Sequence, residues 1–482
     1  MLLRAALLQT ISARLRQACA ASTLVLLAMS GASSAETLRD TLISAYNNSR
    51  LIEQNRAVLR AADEDVAVAV SALRPVFSYS ASRSYSWDLE TGVNQVTGIR
   101  QDSQSITNTL EMTGSWALFE FGRNKLSVEA AKEAVLAAHQ SLISVEQTVL
   151  FQAVQAYTEM RRSQDFVALR RNNVRVLNEE VRAANDRFEV GEVTRTDVAQ
   201  AEARLAESEA NLVSAQGDLE TAREAFNLAV GRYPGTLAPP PAFPTIPASV
   251  DEARQIALAS HPDIRQAQYL VSASELNVQV AEREILPALQ VTGSVGYSDR
   301  SSLTNDLEPD ASLGIEFGGP IYQGGRLNAL YRQSVAQRDQ NRANLLQTSL
   351  TISERVGFAW ANLQVARASL RATDRAIEAN QVAFDGTREE ATLGARTTLD
   401  VLNAEQELLD SRGDRLDALT VEQDAYYFLL STMGLLTAER LGLDVVAYDP
   451  EAYYNSVRNA PPIGASEEGI KLDRVLQSLG KK

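Results

Sequence analysis

Residues able to do covalent chemistry are scarce in this chain of 482 amino acids. Histidine occurs twice, at His139 and His261, and cysteine once, at Cys19. His139 falls inside a long run of helix formers and His261 precedes Pro262. Neither has a partner at the short spacing that metal ligands or a nucleophile–base pair require. The frequent carboxylates lie along helical repeats, where a solvated face is their ordinary role. The composition thus argues against an enzyme, and no cofactor or resident metal is expected. What stands out instead is a motif that occurs twice. Gly191-Glu-Val-Thr194-Arg-Thr-Asp197-Val198 and Gly394-Ala-Arg-Thr397-Thr-Leu-Asp400-Val401 each set an acid three residues after a threonine. An acid in a first helical turn offsets the helix dipole, so helix capping alone accounts for that spacing.

The segments around each motif explain what it joins. From about Arg123 to Phe188 there is neither proline nor glycine, and Ala, Glu, Gln, Leu and Arg dominate. Some 65 residues of helix would extend roughly 100 Å, too far to fold back within an ordinary domain. After the first motif, Val198, Ala201, Leu205, Ser208, Leu212, Ala215, Leu219, Ala222, Phe226 and Ala229 keep an unbroken 3-4 spacing. Val174, Leu177, Val181, Ala184 and Phe188 do the same on the approaching arm. That is a coiled-coil seam, and its Ala and Ser allow close approach. Gly191 to Thr194 interrupts it as a hairpin turn, with Thr194 or Thr196 capping the returning helix. Gly394 to Thr397 does the same later in the chain. Most residues of these arms are packing, so function should concentrate at the tips.

The chain is a duplication. Ala45 to Pro75 aligns with Ala257 to Pro287 at a constant offset of 212. Later the offset settles at 203, so that Gly122 meets Gly325, Tyr157 meets Trp360, Gly191 meets Gly394 and Gly231 meets Gly434. The difference of nine places one gap between Tyr85 and Phe119, where the first copy carries the longer loop. Between the copies, Tyr233 to Pro247 holds six of the fourteen prolines and reads as a stiff connector. The expected organisation is a leader at 1–35, a first repeat at 36–233, a linker at 234–249, a second repeat at 250–443 and a tail at 444–482. Each repeat comprises a helix, two strands and a long helical hairpin.

The strands follow Pro75 and Pro287. Phe77, Tyr79, Ala81, Tyr85 and Trp87 alternate with serine at every position from Ser78 to Ser86, Arg83 being the exception on the apolar parity. Ile106, Leu110, Met112, Trp116 and Leu118 oppose Ser105, Thr107, Thr109, Glu111, Thr113 and Ser115. In the second copy, Leu289, Val291, Val295 and Tyr297 form one apolar set, and Ala311, Leu313, Ile315 and Phe317 the other. Alternate residues of a strand face opposite sides. A soluble sheet with one face on a core would show the same alternation. A length of about ten residues, aromatics near the strand ends, and polar connections at Asp88–Ser103 and Asp299–Asp310 point instead to a membrane barrel. Lipid tolerates no unpaired strand edge, and four strands cannot close, so other chains must complete the barrel.

The N-terminus agrees. Arg4, Arg14 and Arg16 precede an apolar run from Ala18 to Met29, and Ser33 and Ala35 suit a signal-peptidase cut after Ala35. The run is shorter than the roughly 20 residues that a span needs. Cleavage would remove three cations and no acid, taking the formal charge from −15 to −18, and would also remove Cys19. So acidic a chain offers no footprint for nucleic acid.

With the duplicated strand–helix order, the Pro75 and Pro287 strand starts and the leader, the paired tip motifs resemble those of TolC-family outer-membrane efflux and type I secretion channels, over roughly 37–440. The resemblance implies a mainly α fold with a membrane β part: long coiled-coil hairpins forming an α-barrel, and four strands per protomer in a twelve-stranded trimeric β-barrel. It implies a homotrimer in the cell outer membrane that extends into the periplasm. Such a channel would dock at its tips (Gly191, Thr194, Gly394 and Thr397) on a periplasmic adaptor, the membrane fusion protein. With an inner-membrane ABC, RND or MFS transporter, it would export proteins or small toxic compounds. Carried over by position, Asp197, Arg396 and Asp400 match residues of the family's pore gate. A second ring carboxylate of the family falls on Asn403, and a gate tyrosine on Ala391. The gate here should therefore be less charged and less latched. A periplasmic coiled-coil scaffold would share the hairpins but would have no use for four matched amphipathic strands.

Overall fold

A computed structural model describes residues 35–88, 103–301, 305–445, 449–458 and 474. The expected leader as far as residue 34, the connection at 89–102 and most of the tail beyond 458 lie outside the described residues. Two helices, α1 (Leu38–Asn48) and α2 (Arg50–Ser71), lead into β1 (Val76–Asp88) and β2 (Ser103–Phe119). The first hairpin follows as α3 (Arg123–Glu189) and α4 (Arg195–Val230). The second copy repeats this order as α5 (Val250–Ser260), α6 (Pro262–Arg283), β3 (Ala288–Ser301), β4 (Asn305–Gly318), α7 (Arg326–Thr392) and α8 (Thr398–Thr432). A last helix, α9 (Pro450–Val457), packs on α2, where Tyr453 Oη donates to Glu64 Oε1 at 2.8 Å. Part of the tail therefore lies against the first copy.

Both α3 and α7 run for 67 residues, so each extends roughly 100 Å. No described helix is long and apolar enough to cross a membrane. The core sits at mid-length, where the short helices close around the long ones. Leu38, Leu42 and Ala45 of α1 and Ile52 and Leu59 of α2 join Leu150, Val154 and Tyr157 of α3 in one cluster. The second copy contributes Val356 and Leu363 of α7 and Tyr426 and Leu430 of α8. Tyr157 is fully buried, and its hydroxyl donates to Ala238 O at 2.6 Å, which fastens the proline-rich connector to the long helix. Glu36 accepts a bidentate pair from Arg232 at 3.0 and 2.6 Å and anchors the start of the first copy to the same connector.

The four strands form one antiparallel sheet in the order β1-β2-β3-β4. Their register settles the meaning of the alternation. Phe77 pairs with Gly114, Gly114 with Gly293, and Gly293 with Leu313. The next row on that face is Tyr79, Met112, Val295 and Ala311. Between them runs Ser78–Thr113–Ser294–Ser312, all hydroxyls, with Ser78 and Thr113 2.7 Å apart and Ser294 and Ser312 2.8 Å apart. One face is thus apolar and aromatic, with Phe77, Tyr79, Trp87 and Leu313 exposed, and the other is hydroxylated. Among the described residues no helix core covers either face.

Two expectations need correction. The strands are longer than about ten residues, at 13, 17, 14 and 14. The polar stretch at Asp299–Asp310 is also mostly strand, since Asp299 pairs with Leu307 and Arg300 with Asp306. The backbone ladder continues past the point where side-chain alternation ends, because the ladder needs only amide partners, whereas alternation needs two different environments. Pro309 lies within β4, opposite Tyr297 of β3.

Candidate functional site at the hairpin tips

The two tips share one backbone design. Gly191 and Gly394 adopt left-handed φ of 79° and 77°, the conformation that ends a helix with least strain when no side chain is present. Glu192 N donates to Arg187 O at 2.9 Å and Ala395 N to Glu390 O at 2.9 Å, closing the last turn of each outgoing helix. Thr194, not Thr196, caps α4: Asp197 N donates to its hydroxyl, and Asp197 Oδ2 accepts from Thr194 N at 2.8 Å and Thr194 Oγ1 at 2.7 Å. Thr397 and Asp400 make the same reciprocal box on α8, at 3.0 and 2.8 Å. Hydrogen bonds from Thr194 hold the Asp197 carboxyl below its ordinary range, and those from Thr397, with a smaller contribution from Arg396, do so for Asp400. Both acids are therefore fixed as anions at the exposed ends of their helices.

Beyond the caps the tips differ. Arg396 Nε donates to Glu390 Oε2 at 2.9 Å on the exposed surface, so the second tip carries an ion pair across its own turn. Among the described residues the Asp197 carboxylate accepts only from Thr194, and Arg396 turns to Glu390 rather than to the first tip. Asn403, one turn into α8, reaches the other hairpin: its Oδ1 accepts from Arg204 Nη2 at 3.4 Å.

Residues beyond the tip motifs join the two hairpins. Leu402 of α8 inserts among Leu177, Ala184, Val198 and Ala201 of the first hairpin. One turn on, Asn173 Nδ2 of α3 donates to Glu405 Oε1 at 3.1 Å, and Ser208 of α4 donates to Asn173 Oδ1 at 2.5 Å. Arg388 of α7 pairs with Glu180 of α3 at 3.7 Å. A sequence signal for Glu405 exists: it continues the apolar row of Val401, Leu402, Leu408 and Leu409, where a carboxylate does not belong. His261, by contrast, proves to be a cap, its Nδ1 accepting from Asp263 N at 3.1 Å. Among the described residues no group of three or more acidic, His or Cys side chains could hold a metal.

Residues 42–232 and 253–434 both match the family described as outer membrane efflux protein. The chain belongs to that family. Outer membrane efflux protein BepC of Brucella suis is 37% identical over 428 residues, covering 88% of this chain and 91% of BepC. Outer membrane protein TolC of Escherichia coli is 24% identical over 434 residues, covering 86% and 85%. Among solved structures, the Campylobacter jejuni CmeC outer membrane channel shares the fold with a TM-score of 0.70 at 18% identity, over 88% of this chain and 90% of that one. This efflux-family chain is accordingly an outer-membrane channel component and not an enzyme. It belongs to the cell outer membrane and extends into the periplasm.

Proposed function

We propose that three copies of the chain close their sheets into one twelve-stranded barrel, continued by a helical tube whose tips meet the export machinery. The observation that carries this reading is the open sheet, with lipid-compatible and hydroxylated faces in register and free edges at β1 and β4. A free edge in hydrocarbon would strand several amide groups, each at a cost of several kcal/mol. Twelve strands leave an open lumen. A second support is the outer side of α7. Leu346, Leu350, Phe358, Val365 and Val382 are exposed there in a single chain and fall within about a third of a turn. They are ready to be covered by a neighbouring copy.

In this reading the division into leader 1–35, repeats 36–233 and 250–443, linker 234–249 and tail 444–482 holds. The tips at Gly191, Thr194, Gly394 and Thr397 dock on a periplasmic adaptor, behind which an ABC, RND or MFS transporter supplies proteins or small toxic compounds. Asp197, Arg396, Asp400 and Asn403 surround the tip constriction. Three copies of Asp400, held ionised by their caps, favour cations and bind multivalent ones. Purified protein in planar bilayers is expected to give a cation-selective conductance that multivalent cations block from the tip side, with Asp400→Ala weakening that block. Unchanged block would remove Asp400 from the constriction. Recovery of the protein only in the soluble periplasm would sink the channel reading as a whole.

A further inference from the structure

About two turns above the tips, among the contacts that join the two hairpins of one chain, lies a buried carboxylate. Glu405 is 7% exposed. Its Oε1 accepts from Asn173, which in turn accepts from Ser208, so the chain of bonds runs from α8 to both arms of the first hairpin. Its Oε2 is buried and meets no donor among the described residues. The charged and titratable groups around it come from three helices: Glu180 of α3, Arg388 of α7, and the ion-paired Arg204 and Glu207 of α4. Arg388 is already engaged with Glu180, and Arg204 with Glu207 and Asn403. Arg388 and the Asn173 hydrogen bond still favour the charged form of Glu405, but burial and Glu180 outweigh them, and Leu177 and Leu402 wall the site on the apolar side. Such surroundings favour the neutral carboxyl over the carboxylate.

We propose that Glu405 is a proton-controlled latch between the hairpins: protonated, it holds the second hairpin against the first; ionised, it drives them apart and widens the tip. The proposal rests on the channel reading for its consequence but not for its chemistry. Burial first, and then Glu180, push the Glu405 carboxyl up to about 7, from an ordinary value of 4.5. The sign follows from that rise. The joined state binds the proton more tightly than a separated, hydrated one, so joining is fully favoured below the ordinary value and is lost progressively as pH rises toward about 7. Tenfold per pH unit makes the total change in the joined-to-separated ratio about a hundredfold or more.

Spin labels at Glu192→Cys and Ala395→Cys, one on each exposed tip, report the separation directly by pulsed electron resonance on the purified full chain. The expected result is a short distance at pH 5 and a longer, broader distribution at pH 8. Glu405→Gln keeps the acceptor for Asn173 and cannot ionise, so it should give the short distance at both values. Glu405→Leu, which removes the charge with an apolar side chain, should likewise give a distribution that does not change with pH. A wild-type distance that ignores pH, or a Glu405→Gln protein that opens as the wild type does, would overturn the latch. Parallel bilayer recordings separate the two readings: absence of any conductance from inserted protein counts against the channel, while the distances still decide the latch.

Discussion

The two long helices have the same length and come from the same ancestral unit, yet they are used differently. Helix α3 buries residues along most of its length, among them Val128, Leu142, Leu150, Tyr157, Val167 and Leu177. Helix α7 buries only Ile352, Val356, Ala359, Leu363, Ala366 and Phe384. The first copy is the post around which the chain is built, and it carries α2, α6, α8 and its own return arm. The second copy leaves one side of its long helix bare. Duplication let one unit specialise in holding the chain together while the other kept a face for a neighbour. The tips show the same division, since only the second has an exposed ion pair across its turn.

This contrast is most sharply tested at the waist. Tyr157→Ala removes a fully buried ring and the clamp on Ala238, with an expected cost of about 3–5 kcal/mol. Its counterpart Trp360 is only partly buried against the same cluster, so Trp360→Ala should cost clearly less. Denaturant unfolding of both variants would rank them, and equal losses would erase the distinction between post and flank. Where the copies are alike, the effects should match. Gly231 and Gly434 both end a hairpin at positive φ, with an added Cβ meeting Asn48 Cβ at 2.6 Å and His261 Cα at 2.9 Å. Alanine at either should therefore cost about 1–3 kcal/mol, and a large difference between the two would break the equivalence. The smallest stability effects lie at the caps. Thr194→Ala and Thr397→Ala should each cost about 1 kcal/mol, seen as faster amide exchange in the first turn of α4 or α8. The caps also respond to acid: both aspartates are held below 3.8, so the support they give is present above that value and fades as pH falls through their lowered range. Exchange at both tips should rise together there, and a change at one tip alone would mean that the boxes are not equivalent.

Much of the architecture was legible in the residues. Constant offsets revealed the duplication, unbroken 3-4 spacing the hairpins, and strict alternation the sheet. These signals survive because each depends on one repeated environment. The tip turns were legible for a similar reason, since a glycine that must adopt positive φ and a Thr-x-x-Asp box are local chemistry. The strand ends were not, because backbone pairing beyond Asp299 imposes no pattern on side chains. Nor was the partner of Asn403 or the chain from Glu405 to Ser208, because those contacts join helices about 200 residues apart in sequence. Periodicity flags Glu405 as misplaced but cannot say which side chain meets it.

The registered sheet has one more consequence, for how identical chains would meet. Its central β2–β3 joint links copy one to copy two, and a closing ring needs a joint from copy two of one chain to copy one of the next. If duplication preserved that joint, the internal pairing of Leu110 with Tyr297 and Gly114 with Gly293 is a template for the external one. Shifted by 203 on one strand and 212 on the other, it sets Leu313 opposite Tyr85 and Phe317 opposite Ala81 of the neighbouring copy. Cysteines at Leu313 and Tyr85 should then lock chains into covalent rings, and partners displaced by two residues should not. The seam inside each molecule would be a rehearsal of the seam between molecules, and the assembled wall would repeat one joint twice per chain.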